Sequence, residues 1–348
     1  MSGTRIALAA AMTLIATCGA VGNFGAAQAG QPTGPSRGTV FVTERVGGTV
    51  SAFDAGTGAV AWTTAVGASP TGVTQPHRTD KVYTSNEVAA TMSILDRDTG
   101  DLLGEIPTGP LPHHLMAAPN GKRIYVAEFG HNRIGVIDTT TDERISFATS
   151  RLPSARAHAV FVTRDDRFVY ATNSRADRSQ PGDVAKLDAR SGELLCNTQV
   201  GSDPSEILVT PDGRTGYVSV RRENKVKELD LTGSCPVLTE RFAVVGTQPD
   251  TLQLTNDGAL LVVTLRGASA EISFLNTKTF AVRHVSIPGH NTTGHHSMSA
   301  NSAYTFVAVE SPGGLAVVDN ATGEVIADHP YPGGPRPHGV LYQPQRIE

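Results

Sequence analysis

Apolar and polar residues alternate along this chain in short bursts, and no stretch keeps the 3.6-residue apolar period of an amphipathic helix. The bursts return in a fixed order. A β-rich run ending in Asp or Asn recurs seven times: VFVTERVGGTVSAFD ends at Asp54, VYTSNEVAATMSILD at Asp96, IYVAEFGHNRIGVID at Asp138, and VYATN through VAKLD at Asp188. YVSVRRENKVKELD then ends at Asp230, LVVTLRGASAEISFLN at Asn276 and TFVAVESPGGLAVVD at Asp319. Within the copies, Asn120-Gly121, Asp212-Gly213 and Asp257-Gly258 supply the positive φ of tight hairpins. A second turn follows the closing acid, as in DAGTG at 54–58 and DRDTG at 96–100. Each copy therefore predicts four strands, A to D, with tight turns between A and B and between C and D.

The closing residues are spaced by 42, 42, 50, 42, 46 and 43 residues, the length of one four-stranded propeller blade. Seven copies predict an all-β, seven-bladed β-propeller over 39–348. The chain enters it at Thr39 on a B-type strand with no A strand before it, while RPHGVLY at 336–342 has the A pattern with no B strand after it. Pairing that C-terminal strand with the N-terminal three would close the ring and remove its open edges. The same topology sorts the loops: B-to-C turns and D-to-A crossings share one face, and the start of each A strand lies at that mouth of the central channel.

The VYTSN, IYVAE and VYATN runs, the PDG and PNG hairpins and the Asp-TG turns resemble the YVTN-type β-propeller repeat of bacterial exported proteins, over about residues 39–343. The resemblance implies the fold. Members of that family range from binding proteins to enzymes, so it implies no single function. Propeller lactonases and virginiamycin-type lyases are similar in overall shape, without a motif here that carries their residues over.

Arg5, an apolar run from Ile6 to Cys18 and the small-residue pattern Ala27-Gln28-Ala29 read as a secretory signal peptide over 1–29, cleaved after Ala29, with a flexible linker at 30–38. This predicts a secreted or extracytoplasmic protein without a transmembrane segment, and a monomer. The formal net charge is −4, and losing Arg5 makes the mature chain more acidic. No basic cluster stands uninterrupted, which argues against nucleic acid as a partner. Cys196 and Cys235 either form one disulfide or stay as separate buried thiols.

Candidate chemistry concentrates at the A-strand starts. Aligned by blade, they place His338, Thr71, His113, His158, Ser205, Asp250 and His296 in one column, four of the chain's 11 histidines. In one reading these side chains hydrogen-bond loop backbone. In the other, His113, His158, Asp250, His296 and His338 hold a divalent transition metal such as Zn, Cu or Fe near the axis. Glu44, Glu128 and Glu310, at or near the end of strand B, are candidate catalytic bases or turn residues. His114 and Glu206, one residue past the column, are expected on the other side of their strand. The ten-residue stretch SRADRSQPGD after Asn173 is a candidate flap. No GxSxG, P-loop, HExxH or paired CxxC is present. The leading function is a binding module that takes a protein, glycan or small ligand at the channel mouth; the alternative is a metal-dependent lactonase, lyase or oxidoreductase.

Overall fold

The computed structural model describes residues 37–145, 155–332 and 334–345. The signal peptide expected at 1–29 and nearly all of the linker lie outside them. Among the described residues, twenty-eight strands form seven four-stranded antiparallel sheets. Six sheets take their strands in sequence order, and the seventh is built from both ends of the chain: Pro337–Pro344 lies inside Gly38–Glu44, pairing Thr39 with Gln343 and Val42 with Val340. The tail completes blade one, as the incomplete first and last repeats require.

Burial follows position in the blade. The B and C strands, such as Lys81–Asn86 and Thr91–Asp96, are buried almost throughout, because each is covered on both faces by the neighbouring blades. The outermost strand Val60–Ala65 alternates exposed and half-buried positions. The core accordingly lies between blades. Val40, Val42 and Phe53 of blade one pack with Phe306 and Val317 of blade seven, and Phe306 stacks on Tyr342 of the closing strand at 5.5 Å between ring centres. Each such buried side chain contributes about 1.5–3 kcal/mol, so the closing strand is held by packing as well as by its ladder. Gly121, Gly213 and Gly258 take the expected left-handed φ of 70–72° in the A-to-B turns.

One feature has no signal in the repeat pattern. Every innermost strand shifts register near its start, between Pro70 and Val73, Pro112 and Leu115, Ala157 and Ala159, Pro204 and Ile207, Pro249 and Leu252, and Thr293 and His296; blade one does the same opposite Val42 and Glu44. A bulge adds one residue and breaks the two-residue alternation of side chains. It does so at the channel mouth in all seven blades.

Cys196, in the outermost strand Leu194–Ser202 of blade four, is disulfide-bonded to Cys235 in the C-to-D turn of blade five, 39 residues later and with the Cα atoms 6.0 Å apart. Closing a loop of that length stabilises by roughly 2–4 kcal/mol, chiefly by restricting the unfolded chain. Reduction is expected to lower the denaturation midpoint by an amount equivalent to that range; identical urea curves with and without reductant would show that the bond contributes nothing.

Candidate functional site

The site is built where the bulges aim side chains at the axis. In six blades the residue before the bulge faces the end of strand B: Pro70 faces Asn86, Pro112 Glu128, Ala157 Asn173, Pro204 Val220, Pro249 Leu265 and Pro337 Glu44. The residues that follow are Thr71, His113, His158, Ser205, Asp250 and His338, all buried, and the predicted column stands in these six. Blade seven departs from it. There Thr293 faces Val309 and His296 faces Val307, so the column position is Gly294, where a Cβ would come within 2.7 Å of the His338 carbonyl oxygen.

The neighbouring residue supplies the imidazole instead. His295 lies 4.4 Å from His338 and 6.3 Å from His113 between ring centres, and His113 lies 4.5 Å from His158. His296 turns away between blades six and seven, its Nδ1 2.8 Å from the Thr251 hydroxyl. The structure therefore places His296 two positions beyond the column and brings His295 to the axis.

His114 and Glu206 also correct the expectation made from alternation: both line the same axial crevice as His113, His158, Ser205, Asp250 and His295. Consecutive residues within a bulge do not alternate, so each of these strands turns two side chains inward. His114 Nδ1 accepts from the Val160 N–H, and its Nε2 lies 3.8 Å from Glu206, which accepts from the Leu252 N–H. The side chains fill the crevice so closely that it admits no water-sized sphere.

The three glutamates part company. Glu44 accepts from the Val46, Gly47 and Arg336 backbone N–H groups, and Glu128 from the Gly109 N–H and from Arg133 and Arg144. Both are fully buried and spent on tying loops. Glu310 instead pairs with two arginines, 3.1 Å from both Arg266 and Arg336, and lies 3.9 Å from His338. The stretch after Asn173 extends the hairpin of Phe168–Arg175 and Pro181–Asp188, and its Arg178 lies over the Phe129 ring and 3.6 Å from Asp203.

Burial decides the charge state of the cluster. It pushes His295 and His296 down to about 3 and His114 to about 4, and it holds His113, His158 and His338 well below the usual imidazole value, helped in His113 and His338 by neighbouring imidazoles and in His158 by Arg221. The two carboxyls are driven apart. Burial and then the charge of Asp250 push Glu206 well up; burial also opposes ionisation of Asp250, but Arg221 and Arg266 outweigh it and hold that carboxyl well below its usual range. Asp250 Oδ1 accepts from Arg221 and from the Ser205 hydroxyl. Its Oδ2 has no hydrogen-bond partner, and neither have His113 Nδ1, His296 Nε2 and His338 Nε2, all buried.

A family profile described as YNCE-like beta-propeller matches residues 75–347. Antigen Lp49 of Leptospira interrogans is 24% identical over 205 residues, 53% of this chain and 42% of that protein, so the chain spans less than half the length of this relative. The periplasmic gluconolactonase of Pseudomonas aeruginosa superposes with a TM-score of 0.69 at 16% identity, covering 88% of this chain and 98% of that one. A protein of unknown function from Desulfotomaculum acetoxidans superposes with a TM-score of 0.71 at 12% identity, covering 88% and 100%. These likenesses are of fold. Among the described residues, no helix is long and apolar enough to cross a membrane.

Proposed function

This chain belongs to the YNCE-like β-propeller family, and from that premise we propose that it is an extracytoplasmic binding module taking a small polar ligand at the mouth of the channel. One observation carries the reading: Asp250 Oδ2, His113 Nδ1 and His338 Nε2 are buried at one end of the axis without a hydrogen-bond partner, Arg266 standing 3.9 Å from the first. Upwards of 90% of buried polar groups are paired, so three unpaired atoms in one place mark a site whose partner arrives from outside. The leader read in the sequence supports the compartment.

The hydrogen bonds indicate what the ligand offers. Arg266, always a donor, lies 3.2 Å from His338 Nδ1, so that nitrogen accepts and the buried Nε2 carries the proton. His158 Nδ1 donates to the Ser205 carbonyl at 2.9 Å, leaving Nε2 bare. Asp250 Oδ2 only accepts. A ligand with hydroxyls to donate and a carbonyl or carboxylate to accept, such as a sugar acid or its lactone, answers all three. Admission requires side chains to turn, since the crevice is closed down to less than a water's width.

A second reading is hydrolytic. Glu206, whose hold on its proton is strengthened, and Asp250, whose hold is weakened, share one crevice, the kind of separation by surroundings that divides an acid from a base, and the Pseudomonas structural neighbour is a gluconolactonase. Calorimetry with a panel of aldonic acids and lactones distinguishes the two. Binding that Asp250→Asn weakens by roughly 1.5–3 kcal/mol, about 10- to 150-fold, is expected. Lactone turnover abolished by the same substitution would replace the binding reading with the enzymatic one, and a panel that neither binds nor reacts would overturn both for this ligand class.

A further inference from the structure

No three His, Cys, Asp or Glu side chains among the described residues are placed to hold a metal ion, so what the mouth offers a ligand is hydrogen bonding and charge. The charge gathers on one side. Phe129, in the B-to-C turn of blade three, is buried at the mouth with its ring centre 6.2 Å from that of His113 and 5.9 Å from that of His158. Two guanidiniums lie over this ring, Arg156 at 5.3 Å and Arg178 at 5.6 Å from its centre. Arg156 stands two positions before His158 in the innermost strand of blade four, roughly 7 Å along it. Arg178 belongs to the ten-residue stretch after Asn173 that lengthens the same blade. Their partners differ. Arg178 has the Asp203 carboxylate at 3.6 Å, whereas Arg156 is exposed and, among the described residues, neither a carboxylate nor a hydrogen-bond acceptor takes its guanidinium.

We propose that Arg156, supported by Arg178, takes the carboxylate of the ligand, so that the molecule bound is an open-chain sugar acid and not its lactone. The proposal rests on the reading of the mouth as a polar-ligand site and narrows the ligand to the charged one of its two forms.

Two cations held against one ring repel each other, and the single carboxylate of Asp203 leaves one positive charge over. Contact with an aromatic face uses none of the five guanidinium N–H donors, so the fork that matches the two oxygens of a carboxylate stays available. A lactone carries no charge to answer it. A six-carbon chain spans about 6 Å, which lets a carboxylate on Arg156 leave its hydroxyls beside the histidines of the mouth. Because Arg156 is exposed, the anion reaches it without any side chain of the closed crevice turning.

The test compares gluconate, one of the aldonic acids, with its primary amide, which keeps the shape and lacks the charge. Both are titrated by calorimetry at pH 7.5 into the wild-type protein and its variants. Gluconate is expected to bind about 10- to 150-fold more tightly than the amide, the range of a hydrogen bond to a charged group, and the preference should shrink as salt is raised. Arg156→Gln should erase it by weakening gluconate while leaving the amide's affinity alone. Arg156→Lys should recover part of it, restoring the charge without the fork, and Arg178→Gln should weaken gluconate less, since Asp203 already shares that cation. Circular dichroism checks that each variant is folded, and the acid-to-amide ratio is a readout that a purely structural role would not move. Equal binding of acid and amide by the wild type, or a preference that survives Arg156→Gln, overturns the proposal and leaves the polar-ligand reading standing. Inorganic phosphate binding as tightly as gluconate would overturn the choice of a carboxylate. A preference lost in Arg156→Gln but untouched affinities in Asp250→Asn would support the carboxylate site and remove the crevice from it. Failure of both ligands to bind overturns both readings.

Discussion

Asp250→Ala is expected to destabilise the protein by about 3–5 kcal/mol, the range for removing one partner from a buried ion pair. Asp250 is almost fully buried and holds Arg221 directly, with Arg266 3.9 Å from its other oxygen. Truncation would strand the Arg221 guanidinium, itself mostly buried, and leave the Ser205 hydroxyl without its acceptor. Arg266 would lose less, because Glu310 remains 3.1 Å away. Equilibrium urea denaturation measures the effect. A loss below about 1 kcal/mol would mean that water replaces the carboxylate, as it does for ion pairs at surfaces. Asp250→Asn keeps an acceptor for Ser205 and Arg221 and should cost less, which is why it serves in the binding test.

Acid should unfold the protein from the inside. Six buried imidazoles at and beside the axis are neutral in the folded state because burial depresses them, to about 3 for His295 and His296 and about 4 for His114. In the unfolded chain they titrate near 6.5. A depressed folded value means that below pH 6.5 the unfolded state takes up protons that the folded state refuses. Stability is therefore full above 6.5 and is lost as pH falls toward 3–4. Each imidazole approaches a slope of about 1.4 kcal/mol per pH unit within that window.

Glu206 acts in the opposite sense. Its folded value is raised, so its contribution grows as pH falls toward the ordinary carboxyl range and opposes the imidazoles. Asp250 adds its own loss only at the acid end, below its unfolded value near 3.9. The urea midpoint should therefore drop steeply between pH 6.5 and 5, and His296→Leu should reduce the slope by one imidazole's share. A midpoint that stays level from pH 7 to 5 would show that the folded cluster accepts protons, with water reaching the axis.

The fold was almost wholly legible in the sequence because its signals are local. Asn-Gly and Asp-Gly dipeptides fix turns over four residues, alternation fixes strands over six, and the return of both every 42–50 residues counts the blades. The unpaired first and last repeats even foretold the ring closure between Gly38–Glu44 and Pro337–Pro344. Glu44 and Glu128, by contrast, carried no local sign of whether they would react or tie loops; their partners Arg336, Gly109 and Arg144 come from other strands and crossings.

The chain by itself thus determined seven sheets, their closure, and the six blades whose column positions reach the channel mouth. Only the tertiary structure decided which side chains meet there: that His295 and not His296 faces the axis, and that His114 and Glu206 join it. The physical reason is parity. A strand assigns its side chains to faces by odd and even position, and one bulge residue reverses that assignment for everything beyond it. The bulge is set by pairing with strand B, and in blade seven the lack of space beside Gly294 bars a side chain from the column, neither of which a single strand's pattern encodes.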